Sequence, residues 1–366
     1  MSLKLKELEI KGFKSISKEG QRLSFGDVTV LLGANGSGKS NLVSFFQMLR
    51  ALIKMELQVF VSTQGGANAI LNYGAKNCPQ LTAKLEIADA NKDFSAVYSF
   101  DLIAAMPDRL VFTSEDMKHR EKGITVDHGF MNEGSESMLP QIHGQAEQEV
   151  HEALKILSVY HFHDTSNQAA IKQSVYAEDA IALRSDGGNL AAFLRRLKED
   201  RQLNRYYQRI VRHIQQVMPQ FGDFELTLMG KNLSLNWREK GKEMLFGPHQ
   251  ISDGSLRFMA LATLLLQPPE LLPSVIILDE PELGLHPAAI VELAAMVRIA
   301  AKHSQVILAT QSPRLVDEFK IEDLIVAERV GDHSEFKRLE SEALKDWLAR
   351  YSLSELWDKN VLGGRP

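Results

Sequence analysis

One cysteine, Cys78, stands in 366 residues, which excludes a disulfide framework and a cysteine-rich zinc module and suits a reducing compartment. No apolar run reaches the roughly 18 residues that a membrane-spanning helix needs. The opening MSLKLKELEIKGFKS has a charge at every second or third place and no apolar signal core. Neither sign of charge dominates: 42 Lys and Arg face 47 Asp and Glu, a net charge of −5. That balance argues against blanket coating of nucleic acid and leaves room for a local basic groove. No internal repeat and no sustained heptad pattern is found, so neither a solenoid nor a long coiled coil is expected. What remains is ordinary globular material, 44% hydrophobic and 24% charged. Its length suits two compact units or one large unit with an insertion, and a cytoplasmic location without membrane contact is expected.

Leu3, Leu5, Leu8 and Ile10 alternate with charged residues, predicting a half-exposed strand that turns at Gly12. A buried strand over Val28–Leu32 precedes a glycine-rich loop and a helix striped by Leu42, Phe45, Phe46, Leu49 and Ile53. Turn formers crowd residues 61–79, and alternation returns over 81–87 and 96–100, predicting antiparallel strands. Residues 113–150, dominated by charge, Gly, Met and His, read as a mobile loop or exposed insertion. An apolar run through Leu154, Ile156, Leu157, Val159 and Tyr160 leads into SVYHFHDTS. Helices with a break fill 187–218, stopped at Pro219, and strands are expected near 224–228 and 233–237.

The last third alternates helix and strand. Helices are expected over 255–266 and 287–303, a helix or turn near 313–319, and strands over 275–278, 305–309 and 324–327. That order means a mostly parallel sheet with helices on its faces. Trp347, Leu348, Tyr351, Leu353, Leu356 and Trp357 read as core, and Gly363–Gly364 as a free tail.

Three segments carry chemistry. GANGSGKS fits G-x-x-x-x-G-K-[ST] between a predicted strand and a predicted helix, the context that gives the pattern meaning. Backbone N–H groups of Gly33, Ala34, Asn35, Gly36, Ser37 and Gly38, with the adjoining helix start at Lys39, Ser40 and Asn41, would cradle phosphate oxygens. Lys39 would neutralise the β- and γ-phosphates of ATP, and Ser40 would offer its hydroxyl to Mg²⁺. VIILDEPELGLHP is a buried strand ending in two acids: Asp279 to position Mg²⁺, and Glu280 to act as general base on water. ISDGSLRFMALATLLL places Ser252, Asp253, Gly254 and Ser255 at a helix start, a second anion site. Two such sites about 200 residues apart fit one nucleotide most economically when a second copy closes over the first.

These motifs together resemble the ABC-type ATPase heads of the RecF/SMC class, most closely the compact RecF-like AAA-family "predicted ATPase" group (AAA15/AAA21-like). IKGFKS resembles the first strand of such heads, GANGSGKS their Walker A motif and ISDGSLR their LSGGQ-like signature. DEPELGLHP resembles their Walker B motif running into the D-loop, and ATQSP their switch segment. SVYHFHDTS and LWDKNVLGGRP also look like the smaller group. The resemblance implies an α/β P-loop NTPase: a mostly parallel sheet plus antiparallel strands, an inserted lid and no long coiled coil. Residues 1–60 and 245–366 would form the core and 61–244 the lid. It further implies that Ser252 and Gly254 contact the γ-phosphate bound to the other subunit, that Gly284 to His286 form the D-loop contact, and that Gln311 occupies the place of the γ-phosphate sensor. Many relatives have His there. Gln cannot become cationic, so slow or regulated hydrolysis is expected.

The implied activity is Mg-dependent ATP hydrolysis coupled to homodimerisation. It would serve a DNA-linked or anti-phage-defence-linked ATPase that controls an effector such as a nuclease or toxin. A RecF-like DNA-repair ATPase is the alternative, and a transporter motor is the weakest reading. Gln64 is a Q-loop candidate. His161, His163 and Asp164 read as a metal cluster or as a polar structural segment. Arg195, Arg196, Lys198, Arg201, Arg205, Arg209 and Arg212 read as a DNA-facing or a solvated face, and Lys11 and Lys14 could face nucleotide or DNA.

Overall fold

The computed structural model describes residues 3–89, 93–130, 132–141, 144, 148, 150, 151, 154 and 157–365. The chain opens with strands β1 (Leu3–Lys11), β2 (Gln21–Ser24) and β3 (Val28–Leu32) and helices α1 (Lys39–Ile53), α2 (Leu57–Thr63) and α3 (Ala67–Ile70). Five strands follow: β4 (Gln80–Asp89), β5 (Phe94–Ala105), β6 (Arg109–Glu121), β7 (Ile124–Phe130) and β8 (Leu157–Tyr160). Next come β9 (Val175–Tyr176), α4 (Leu190–Glu199), α5 (Asn204–Val217), β10 (Phe221–Glu225), β11 (Asn232–Leu233), β12 (Asn236–Glu239) and β13 (Leu245–Phe246). The alternating part comprises α6 (Asp253–Leu266), β14 (Val275–Asp279), α7 (Pro287–Ala300), β15 (Gln305–Thr310), α8 (Pro313–Val316), β16 (Leu324–Val330) and β17 (His333–Arg338). Helices α9 (Lys345–Leu348) and α10 (Leu353–Asp358) follow. No described helix exceeds the 15 residues of α1, so a long coiled coil is absent among the described residues.

Two compact units divide the chain: residues 1–159, 273–277 and 305–366 in one, 160–272 and 278–304 in the other. The division that the resemblance implies, a core of 1–60 and 245–366 with a lid of 61–244, differs from this partition. Strands β4 to β7 continue the sheet that β1 begins, in the order β2-β1-β4-β5-β6-β7 with antiparallel pairing throughout. A second six-stranded sheet runs β17-β16-β3-β15-β14-β8. Its centre is parallel, β3 pairing with β15 and β16, while β17 returns antiparallel on β16. A shared apolar core joins the first sheet, α1 and the second sheet through residues such as Leu8, Phe45, Phe46, Leu85, Tyr98 and Ile307. Gln305 stitches within this unit, accepting from Leu5 N at 3.0 Å and donating to Leu5 O and Gly26 O at 2.8 Å each.

The second unit is built on α4 to α7. The stripe Leu190, Phe193, Leu194 and Leu197 is fully buried, as are Tyr207, Ile210 and Ile214 of α5, against Phe258, Met259 and Leu293. Each such side chain contributes about 1.5–3 kcal/mol by leaving water. The three-stranded β10-β12-β13 and two-stranded β11-β9 sheets complete the unit.

Three expectations are corrected. Residues 113–130 are no loop: they form the β6–β7 hairpin on the edge of the first sheet. The alternation was masked because one inward position is an acid, Glu115, and because β7 is exposed on one face and only half-buried on the other. Glu115 is fully buried and accepts from Tyr98 Oη at 2.6 Å, Ser137 Oγ at 2.5 Å, Asn132 Nδ2 at 2.6 Å and Met138 N at 2.9 Å. This pins residues 132–138, whose Glu136 caps α2 through the Leu57 and Gln58 amides. Burial, reinforced by Glu115, pushes the Tyr98 phenol far above its usual range. Much of 142–156, including Ile156, lies outside the described residues. Second, Trp347 is 43% exposed, whereas Leu353, Leu356 and Trp357 are core. Third, β17 follows β16 after a two-residue turn that the sequence reading passed over.

Glu115→Ala is expected to destabilise the fold by about 3–5 kcal/mol, because it strands several buried donors at once. Urea unfolding of parent and variant measures this, and a difference below about 1 kcal/mol would contradict it.

Candidate functional site

One group of candidate residues lies at the C-terminal ends of the central parallel strands. Buried β3 ends at Leu32, and the loop Gly33–Gly38 turns the chain into α1. Gly38 has φ +106°, and a Cβ there would lie 2.1 Å from Ser334 Oγ, so only glycine lets the loop close against β17. Lys39 is 5% exposed, and its Nζ donates to Gly33 O at 2.7 Å and Ala34 O at 3.0 Å. Ser37 Oγ is buried without a hydrogen-bond partner. A buried ammonium held against loop carbonyls, an orphaned hydroxyl and a helix start fit a phosphate. Ser40 is exposed at the first turn of α1.

The surrounding residues brace this loop. Asn41 Nδ2 and Ser334 Oγ both donate to Ser15 Oγ, at 2.7 and 2.8 Å. Lys14 donates to Ser44 Oγ at 2.7 Å and Gln64 Oε1 at 2.9 Å, and burial lowers its pKa. Gln64 is thereby placed at the end of α2. Lys14, Ser15, Asn41, Tyr73 and Arg329 line an open cleft of about 690 Å³. Thr310 pairs with Leu32 in register, which puts Gln311 at the same end of the parallel strands as Gly33. Gly363–Gly364 is not a free tail: Gly364 O accepts from Ala34 N at 2.9 Å. Sequence alone gave no sign of this contact, because it joins residues more than 300 positions apart.

A second group of candidate residues lies in the other unit. Ser252 caps α6, its Oγ accepting from Ser255 N at 3.2 Å and donating to Ser255 Oγ at 2.8 Å. The nearly buried Lys172 reaches Asp253 Oδ1 at 3.3 Å, bringing a cation to the positive end of the helix. A Cβ on Gly254 would lie 2.2 Å from Gly284 O, so α6 and the 283–286 turn touch by backbone. His286 caps α7, its Nδ1 accepting from Ala288 N at 3.3 Å.

Asp279 ends β14, and Glu280 follows with φ +41°. That is the left-handed region, which strains a residue bearing a Cβ by about 1–3 kcal/mol. His163 Nε2 donates to Asp279 O at 2.6 Å; a carbonyl only accepts, so the proton sits on Nε2. Arg257 donates to Phe162 O, His163 O, Thr165 Oγ1 and Leu283 O at 3.2, 2.8, 3.3 and 3.0 Å. Lys172 and Arg257 were missed as site residues; Arg257 stands inside the quoted ISDGSLR, but an arginine in a helix carries no mark of its partners.

Among the described residues no group of three metal-ligating side chains is found. Asp164 accepts from Ser166 N at 3.0 Å, and burial, helped by His163, lowers the His161 pKa. The basic face is largely engaged internally. Arg195 pairs with Glu199, Arg196 holds Ala180 O and Ile181 O, Lys198 holds Asp223 and Phe224 O, and Arg209 holds Leu266 O. Arg201, Arg205 and Arg212 are exposed, and Lys11 pairs with Glu9 at 2.9 Å. Among the described residues no helix is long and apolar enough to cross a membrane.

Residues 139–317, just under half of the chain, match the AAA_21 family model, described as "AAA domain, putative AbiEii toxin, Type IV TA system". The chromosome partition protein Smc of Clostridium kluyveri is 42% identical over 72 residues, 18% of this chain; the chain spans 6% of that protein's length. The Smc head domain of Pyrococcus furiosus, solved with an extended coiled coil and bound to the C-terminal domain of ScpA, superposes with a TM-score of 0.58 at 14% identity, covering 95% of this chain and 99% of that one. A Smc head bound to the C-winged helix domain of ScpA gives 0.60 at 15%, covering 93% and 99%. The Pyrococcus yayanosii Smc head gives 0.55 at 13%, covering 95% and 99%. In fold the chain is similar to these Smc head domains, and its residues 139–317 match the AAA_21 model.

Proposed function

We propose that the chain binds ATP with Mg²⁺, pairs head to head with a second copy over the bound nucleotide, and hydrolyses it to part. The observation that carries this reading is the glycine loop holding the buried Lys39 ammonium beside the orphaned Ser37 hydroxyl. Ser40 and Asp279 would hold Mg²⁺, which supplies charge neutralisation at the phosphates. Gly33 to Gly38 and Asn41 bind and shape the triphosphate, and Lys39 neutralises it. Glu280 accepts the proton of the attacking water. The α6 start, with Ser252, Asp253 and Gly254, faces the γ-phosphate held by the other copy, and His286 borders that contact. Purified chain that neither binds nor hydrolyses Mg-ATP in an equilibrium-binding and phosphate-release assay would refute the reading.

The dimer state is proposed to control a partner effector. The matched family's description, which names a toxin–antitoxin system, favours this over DNA-structure recognition, as does the internal use of Arg195, Arg196, Lys198 and Arg209. Salt-sensitive DNA binding strengthened by ATP would reverse that order.

Gln311 is proposed to slow hydrolysis, being unable to carry charge at the γ-phosphate. Gln311→His is therefore expected to raise the single-turnover rate of phosphate release, and an unchanged rate would contradict this role.

A further inference from the structure

The 161–165 segment has no part in the reading above, yet it sits on the strand end that carries the candidate base. We propose that His163 is a positioning residue for hydrolysis: by holding the Asp279 carbonyl it fixes the left-handed backbone that aims Glu280, and Arg257 ties that hold to α6. The inference rests on Glu280 being the general base.

A closed ring of hydrogen bonds supports it. His163 Nε2 donates to Asp279 O at 2.6 Å. Glu280 O, on the next peptide, accepts from Leu283 N at 3.1 Å. Leu283 O accepts from Arg257 Nη1 at 3.0 Å, and Arg257 Nη2 returns to His163 O at 2.8 Å. The peptides on both sides of Glu280 are thus anchored.

Peptide planarity makes the anchor effective. The φ of Glu280 is measured from the Asp279 carbonyl carbon, so fixing the Asp279 oxygen fixes the plane from which the Glu280 side chain departs. Left alone, a residue at φ +41° relaxes toward negative φ and swings its carboxylate away. Small displacements of a catalytic group lower rates steeply. Arg257 lies in the second turn of α6, so the helix proposed to meet the partner's phosphate grips the same segment that holds the base.

The test compares His163→Ala with His163→Gln, whose side-chain amide can donate a similar bond. His163→Ala is expected to leave the ATP dissociation constant within about twofold of the parent and to lower kcat about 10- to 100-fold, whereas His163→Gln recovers most of the rate. In a Glu280→Gln background, His163→Ala is expected to produce no further loss. Parental kcat in His163→Ala, affinity and kcat falling together, or Gln faring no better than Ala would each overturn the proposal. Failure of the underlying reading looks different: Glu280→Gln would itself turn over like the parent. An inactive Glu280→Gln beside a fully active His163→Ala defeats the positioning role alone.

Discussion

Glu280→Gln is expected to retain ATP and lose turnover, kcat falling by about 10²–10⁴-fold, the usual worth of a general base. Gln matches Glu in shape and can still hydrogen-bond, but its amide accepts no proton at neutral pH. The strained φ of +41° and the hydrogen bonds on either side of the residue depend on backbone atoms, so the substitution leaves them in place. With binding intact and the parting step blocked, the proposed nucleotide-bound dimer is expected to accumulate. Single-turnover phosphate release gives the rate and light scattering the mass. Parental turnover would remove Glu280 from the chemistry.

Lys39→Ala is expected to abolish useful nucleotide affinity. Removing one member of a buried, hydrogen-bonded charge pair weakens binding by about 2–5 kcal/mol, some 30- to 4,000-fold in Kd. The lysine also holds Gly33 O and Ala34 O, so part of the loss comes from a loop no longer drawn into its cradle. Thermal unfolding separates the effects. Saturating Mg-ATP raises the parent's Tm, because a ligand at 100 times its Kd adds about 2.7 kcal/mol. The variant's Tm should not respond to ATP even where its ligand-free Tm matches the parent's. A parental ATP response would show that the loop does not bind triphosphate.

Much of this was legible because the informative features are local. The Val28–Leu32 strand, the glycine loop and α1 follow one another within 30 residues, and the α6–β14–α7–β15 alternation shows in hydrophobic period and Pro stops. What stayed hidden depends on distant partners. Glu115 looks like a surface acid until Tyr98, Asn132 and Ser137 gather on it, so its strand was read as a loop. The spacing of His161, His163 and Asp164 left a metal cluster and a polar structural role both open, and His163 gives its proton to a carbonyl 116 residues away. The basic run of α4 and α5 reads equally as a DNA-facing or a solvated face, and only its distant partners show that Lys198 and Arg209 bond to their own fold. Gly364 carries no sequence signal for the P-loop amide it meets.

The central claim is that α6 of one copy completes the nucleotide site of another. Ser252→Asp isolates it: Asp keeps the helix cap while placing a negative charge where the γ-phosphate is proposed to sit. Light scattering of Glu280→Gln with Mg-ATP should give twice the monomer mass, and the added Ser252→Asp should return it to a monomer that still binds Mg-ATP, though more weakly because the partner's contact is lost. A dimer that persists at parental ATP affinity would contradict the composite site.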